Sequence, residues 1–238
     1  MRVLVAGATG VIGQRLVRQL VALGCRVSGT TRSPGRAEAI RAAGAQPLVA
    51  DVFDGARFRD VVRVARPEVI VHLITDLPDH VDPAGLTEMT DRNARIRMDG
   101  TRTLVPAAVR AGARRLVAQS IAWAYAAGPE PHPEEDPLDT RAEGNRIVTV
   151  RGVVELERLV TSVPRLDGLV LRYGQLYGPG TWNPDPAGSV PLHVESAARA
   201  AALAAVRGTP GVYNIVDDGA AASNAKARSQ LGWDPGLR

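Results

Sequence analysis

The residues with the clearest chemistry stand at the start of the chain. A short apolar run from Arg2 to Ala6 reaches Gly7-Ala8-Thr9-Gly10-Val11-Ile12-Gly13, and a segment of helical period follows at once, with Leu16, Val17, Leu20 and Leu23. Each glycine has a physical task. Gly7 allows a tight turn out of a strand, Gly10 leaves the backbone bare for a pyrophosphate, and Gly13 lets a helix pack closely on a sheet. The unpaired N–H groups and positive end of that helix would then meet the phosphates. Between a strand and a helix, this spacing predicts a dinucleotide site made by Gly7, Thr9, Gly10, Val11, Ile12 and Gly13.

A free ribose 2′-hydroxyl is ordinarily met by a carboxylate about 20 residues further on. That place reads Gly29-Thr30-Thr31-Arg32-Ser33-Pro34-Gly35-Arg36, and no acid occurs before Glu38. Arg32 and Arg36 would pair with a 2′-phosphate, with Thr31 and Ser33 as hydroxyl donors. The expected cofactor is therefore NADP(H) rather than NAD(H).

The elements that must position this turn follow from periodicity. Strands are expected at Arg2–Ala6, Cys25–Thr30, Gln46–Ala50, Glu68–Ile74, Arg115–Ser120 and Gly168–Arg172. Helices are expected at Gly10–Leu23, Ala37–Ala43, Met89–Ala111 and Ile147–Val160, three of them stopped by Gly24, Gly44 and Gly112. Such alternation predicts an α/β Rossmann architecture, a doubly wound parallel sheet. Residues 1–172 are expected to form the dinucleotide-binding core, and residues 173–238 mostly a small substrate-binding region together with C-terminal elements. The proline- and acid-rich stretch Gly128–Pro137 reads as a surface loop.

Composition narrows the function classes. The chain has 238 residues, 45% of them hydrophobic, enough for an ordinary soluble core. Its net charge of +4 comes almost wholly from arginine, Lys226 being the only lysine. The basic residues form no run and are not interleaved with aromatics, which argues against a nucleic-acid partner. No apolar run reaches the roughly 18 residues that a membrane span needs, and the N-terminus lacks the pattern of a secretory leader. Cys25 stands alone, which leaves no disulfide frame and no thiolate metal cluster. A cytoplasmic protein without a metal, acting on a small molecule, is expected.

Together these motifs resemble the short-chain dehydrogenase/reductase superfamily, in its extended or atypical NAD-dependent epimerase/dehydratase-like branch. The resemblance implies further contacts with the cofactor. Asp51 and Val52 would touch the adenine, and Leu73, Ile74 and Thr75 would pass under the nicotinamide ribose. Tyr173, Gly174 and Leu176 would hold the carboxamide end. His193-Val194-Glu195 and Tyr213–Asp217 resemble substrate-region segments. Asp185–Gly188 and Asp217–Ala220 join segments that the family usually keeps much further apart, which predicts either absent loop residues or a short form. Gly100-Thr101 matches the motif Asn-x-x-Gly-Thr, with Arg97 in place of the asparagine.

The resemblance breaks at the catalytic set. The family uses a Tyr-x-x-x-Lys pair, in which the tyrosine protonates the substrate oxygen. None of the four tyrosines here has lysine four residues later. If Glu157 aligns with the family's glutamate, Thr149 and Val153 replace the pair, and Ile121 takes the place of the catalytic serine or threonine. Ser120 is then the nearest candidate donor, or a strand-end serine bonded to backbone. Trp123 and Trp182 are candidate walls of an aromatic substrate pocket, and His193 a further substrate candidate. Arg95 and Arg97 read as solvated helix residues. The resulting expectation is an NADPH-dependent ketoreductase of an aromatic, angucyclinone-like polyketide ketone, assisted by the substrate's own phenol. A non-catalytic NADP(H) sensor and a non-reducing epimerase or dehydratase are the alternatives.

Overall fold

Apolar strands that are buried on both faces need helices on both sides of the sheet. The computed structural model, which describes residues 1–78 and 83–237, has that arrangement. The first half contains β1 (Arg2–Ala6), α1 (Val11–Ala22), β2 (Arg26–Thr31), α2 (Ala37–Ala42), β3 (Gln46–Val49), α3 (Gly55–Ala65) and β4 (Val69–His72). There follow α4 (Leu86–Arg95), α5 (Thr101–Arg110), β5 (Arg115–Ile121), α6 (Gly144–Thr161), β6 (Asp167–Tyr173), β7 (Gln175–Tyr177), β8 (Pro191–His193), α7 (Val194–Ala204) and β9 (Gly211–Ile215). The main sheet has seven strands in the order β3-β2-β1-β4-β5-β6-β9, all parallel. Strand order reverses between β1 and β4, which opens a crevice at their carboxyl ends.

Alternate strand residues feed two cores. Val3, Val5, Val71, Val117, Leu169 and Leu171 pack against α1 and α7. Leu4, Ile70, Leu116 and Val170 pack against α3, α5 and α6. α3 goes beyond the sequence reading. Its start is fixed by Asp54, whose Oδ1 accepts the Arg57 N–H at 3.0 Å, and Phe58, Val61 and Val62 give it a buried face. The helix expected over Met89–Ala111 is interrupted. A π-helical turn, Ile96–Gly100, separates α4 from α5.

The stretch Gly128–Pro137 is not merely a surface loop. His132 is buried and stacks on Tyr125 with ring centroids 4.9 Å apart, and Glu134 Oε1 accepts the Asn214 N–H at 2.8 Å. Nor do residues 173–238 stand apart as a substrate region. β9 pairs with β6 from Leu169↔Gly211 to Tyr173↔Ile215, and α7 lies against α1. Trp233 is fully buried and donates through Nε1 to the Ser196 carbonyl at 2.9 Å. The β7–β8 ribbon and the loops around it make up much of the remainder. Backbone hydrogen bonds at either end of the Asp217–Ala220 join tie it to this ribbon: Asp217 N–H to Pro191 O at 2.9 Å and Ala221 N–H to Ser189 O at 2.8 Å. Among the described residues no helix is long and apolar enough to cross a membrane, and no group of three or more His, Cys, Asp or Glu could hold a metal.

The burial of Trp233 makes a test of this continuity. Trp233→Ala should cost about 3–5 kcal/mol, as emptying a core tryptophan site does. A single urea transition shifted for both near- and far-ultraviolet signals is expected. A separate early transition of the C-terminal part would contradict a shared core.

Candidate functional site

The glycine turn has the shape that the spacing requires. Gly7 has φ of 91°, and a Cβ there would lie 2.8 Å from the carbonyl carbon and oxygen of Leu73. A Cβ at Gly13 would lie 2.2 Å from Gly7 O, so the helix can sit on the turn only without one. Gly10 differs. It is exposed, and its Cβ would meet nothing nearer than Gly7 O at 3.5 Å, an ordinary contact. The protein itself therefore has no packing need for glycine at position 10. The first intrahelical bond of α1 runs from Gln14 N–H to Gly10 O at 3.0 Å, leaving the N–H groups of Val11, Ile12 and Gly13 ahead of it. Bare backbone, three orphan donors and a positive helix end fit a dinucleotide pyrophosphate.

Hydroxyls from β2 hold this turn. Thr30 Oγ1 accepts the Gly7 N–H at 3.2 Å, and Thr9 Oγ1 donates to Thr31 Oγ1 at 3.4 Å. Thr31 is buried and also accepts the Ser33 N–H at 3.2 Å. Arg32 lies at the rim, where its Nη2 meets Asp76 Oδ1 at 2.5 Å. That hydrogen bond raises the Arg32 pKa. Asp76 also pairs with Arg92 Nε at 3.1 Å. Arg36 is exposed one short turn further on. Across the crevice Asp51 is exposed and accepts the Phe53 N–H at 2.9 Å. Val52 is buried, 3.3 Å from where a Gly100 Cβ would stand. Leu73 lies against Gly7, and Ile74 and Thr75 are half-buried beyond it.

A cavity of about 190 Å³ opens between α4, α6 and the end of β5. Ile121, Trp123 and Thr149 line it, together with Thr90, Asn145 and Arg146. Arg146 is the one titratable group on its wall among the described residues, and it is held by Asp139 at 2.7 Å and by the Trp123 and Tyr125 carbonyls. Val153, one turn after Thr149, is wholly buried. The cavity thus brings together Trp123, Ile121 and Thr149, which the sequence reading names separately.

Other candidates are placed elsewhere. Ser120 does not face the cavity as a free donor: it is buried and its hydroxyl donates to Glu157 Oε1 at 2.7 Å. Glu157 in turn receives Arg172 through Nε at 2.9 Å and Nη2 at 2.7 Å. Arg172 Nη1 reaches the Tyr125 hydroxyl at 2.7 Å, and that hydroxyl donates to Asn214 Oδ1 at 2.7 Å. Burial alone would lower the Arg172 pKa, but its bonds and attraction to Glu157 outweigh this and raise it. Desolvation likewise raises the Tyr125 pKa. This buried network was missed by sequence reasoning. Its signal was present, a lone arginine inside the apolar strand Gly168–Tyr173.

Trp182 does not line the cavity, and its Nε1 donates to Pro78 O at 2.9 Å. His193 is buried at the start of α7, where Nδ1 accepts the Glu195 N–H at 3.3 Å and the ring packs edge-on against Tyr177. The Tyr173 side chain is sealed in the core beneath α7. Gly174 is required by packing, since a Cβ would lie 2.3 Å from Val190 O. Leu176 is half-buried on the same core. All four tyrosines are buried. Arg95 is exposed over the Phe53 ring, as expected, but Arg97 is recessed, and burial draws its pKa down to about 10.

A sequence profile described as the NAD dependent epimerase/dehydratase family matches residues 3–212. A 3-diazoavenalumate denitrifying reductase from a Streptomyces species is 45% identical over 240 residues, spanning 92% of this chain and 76% of that protein. Among solved structures, the UDP-glucose 4-epimerase of Thermotoga maritima with UDP-glucose superposes with a TM-score of 0.80 at 20% identity, covering 100% of this chain and 94% of that one. The UDP-glucose 4-epimerase of Thermus thermophilus in complex with NAD gives 0.79 at 20% identity, covering 100% and 95%. At that identity the likeness is one of fold.

The contrast between two glycines is measurable. Gly13→Ala should lower stability by about 1–3 kcal/mol through overpacking. Gly10→Ala should leave the melting temperature of the free protein nearly unchanged and weaken dinucleotide binding in calorimetric titration. Equal loss of stability in both would show that position 10 serves packing rather than ligand.

Proposed function

The chain belongs to the NAD-dependent epimerase/dehydratase family, and from that premise we propose that it is an NADP(H)-dependent reductase of a small aromatic substrate whose reduction takes no proton from the protein. One observation carries this reading. Where the family's acid would stand, the cavity presents Thr149, with apolar Val153 behind it, while Ser120 and Tyr125 are tied to Glu157, Arg172 and Asn214. A ketone that accepts hydride becomes an alkoxide and must be protonated or held by donors as it forms. A diazo group has no such need.

The substrate class is therefore an aryl diazonium, or the quinone-diazide form that a neighbouring phenolate gives it. The bound cofactor supplies a hydride. Addition of that hydride to the terminal nitrogen gives an aryl diazene, with the ring oxygen left as phenolate when the quinone-diazide reacts; dinitrogen then leaves, and the N–H hydrogen passes to the ring carbon. Hydride in, dinitrogen out and an arene product balance without a protein acid. The name of the Streptomyces relative, a diazo compound reduced with loss of nitrogen, supports this class. The protein's part is to position the ring against Trp123 and to exclude water, and positioning alone contributes several kcal/mol. A phenol-bearing aromatic polyketide ketone is the second substrate class. The Thr149 hydroxyl favours it as a weak donor beside the substrate's own phenol.

The choice of NADP(H) rests on Arg32 and Arg36, with no acid before Glu38 to repel a 2′-phosphate. Asp76 holds the Arg32 guanidinium at the rim in the free protein. Arg32→Ala should weaken NADPH binding about ten- to hundredfold, the worth of a charge-assisted contact of roughly 1.5–3 kcal/mol, and NADH binding much less. Equal weakening of both, read by nicotinamide fluorescence, would remove Arg32 from 2′-phosphate recognition.

The reaction is tested with cofactor deuterated at the transferable position and two substrates, a hydroxyaryl diazonium and a phenolic polyketide ketone. Dinitrogen release equal to cofactor oxidised, with deuterium in the arene, is the expected result. Turnover of the ketone alone would replace the diazo reading, and no oxidation with either would end the reductase reading. Tyr125→Phe should keep most of the activity while losing about 1–3 kcal/mol of stability, because it orphans buried partners.

A further inference from the structure

Among the described residues, Arg97 is a charged side chain beside the crevice that the protein leaves without a partner. It lies in the π-helical turn between α4 and α5. Among the described residues its guanidinium has no hydrogen bond and no ion pair, and burial is the one influence on its pKa. The carboxylates nearby are already engaged. Asp99 is shared by Arg95 at 3.6 Å and Arg102 at 3.1 Å, and Asp76 by Arg32 and Arg92. His72 offers no counter-charge. It is buried, its Nδ1 accepts the Ile74 N–H at 3.4 Å, and its Nε2 lies 3.3 Å from Thr101 Oγ1. Desolvation first, and the nearby Arg97 charge second, lower the His72 pKa to about 4 and keep the ring neutral.

Neighbouring contacts fix where Arg97 works. Asn93, four residues earlier on the same helical face, clamps the segment leaving β4: its Oδ1 accepts the Asp76 N–H and its Nδ2 donates to Asp76 O, both at 2.9 Å. Gly100 lies against Val52, just beyond β3. His72 ends β4 and pairs with Ala6, the residue before Gly7. Arg97 therefore reaches the carboxyl ends of β1 and β4 from the α5 side, opposite α1. Arg97 is also partly accessible, so the atoms around it wall a cleft rather than a sealed core.

An unpaired cation taken out of water costs several kcal/mol unless an anion meets it. We propose that Arg97 is the counter-ion for an oxyanion lying across the carboxyl ends of β1 and β4, and that in the loaded enzyme this anion is the dinucleotide pyrophosphate. The N-terminus of α1 offers about half a positive charge to that group. Arg97 supplies a full one from the other side. This rests on the dinucleotide reading of the crevice and not on the substrate class.

The test compares wild type with Arg97→Gln and Arg97→Lys. Cofactor affinity is read by calorimetry and nicotinamide fluorescence, using NADPH, NADH and the phosphate-free dihydronicotinamide riboside. Arg97→Gln should weaken NADPH and NADH alike by about ten- to hundredfold and leave the riboside unaffected, whereas Arg97→Lys recovers part of the loss. The free Arg97→Gln protein should melt at or above the wild-type temperature, because a buried unpaired charge is gone, while its stabilisation by cofactor shrinks. Unchanged dinucleotide affinity would overturn the proposal. So would an effect confined to the KM of a carboxylate-bearing substrate, which would make the anion the substrate's. If Arg97→Gln does not fold, Arg97→Met serves instead, and full dinucleotide affinity in that uncharged variant would overturn the proposal.

Discussion

The two-bond ion pair between Arg172 and Glu157 determines what the centre of this molecule can do. It is buried, joins β6 to α6, and reaches Ser120 on β5, Tyr125 beyond β5 and, through Tyr125, Asn214 on β9. Two charges removed from water stay ionised only when every remaining donor and acceptor is met. The pair therefore claims the hydroxyls of Ser120 and Tyr125, neither of which lines the cavity. Breaking it by loss of one partner would leave a stranded charge, at about 3–5 kcal/mol. Ser120 and Tyr125 are thus part of what holds the carboxyl half of the sheet together.

What the sequence made legible was the part governed by local rules. Gly7, Gly10 and Gly13 revealed a strand, a turn and a helix because backbone geometry permits little else there, and the apolar runs revealed β1 to β6 because strands buried on both faces have no polar side. Three features lay beyond that reach. α3 carries arginines between Phe58, Val61 and Val62, which dilutes its period, although Asp54 marked its start. β9 was read as substrate region because Tyr213 and Asn214 sit in it, and only pairing with β6 shows it to be sheet. Arg97 was read as solvated because hydropathy assigns any polar helix face to water. A polar face turned toward a ligand cleft looks the same in one dimension.

The site follows the same division. The cofactor turn is a backbone device, so it survives in the sequence as glycine spacing. The catalytic side is defined by pairings between residues far apart, Ser120 with Glu157 and Tyr125 with Asn214, and these cannot be deduced from either partner alone. The expectation at Thr149 and Val153 came from aligning Glu157 with the family's glutamate, a comparison along one helix. The geometry adds that the Ser120 hydroxyl is committed to a carboxylate that is itself clamped by arginine.

The burial of the tyrosine and imidazole side chains bears on what would follow if the substrate is the proposed diazonium ion. Diazonium ions are electrophiles that attack phenols, imidazoles and free amines, forming azo links and modifying whatever protein holds them. Here all four tyrosines are sheltered, as are His72, His132 and His193, and the single lysine, Lys226, lies over the Tyr213 ring at 5.1 Å. Positive charge is carried instead by guanidinium groups, which stay protonated and are poor nucleophiles. Among the described residues the side chains that couple most readily are thus sheltered, so a catalyst of such a reduction would have fewer of them labelled over many turnovers.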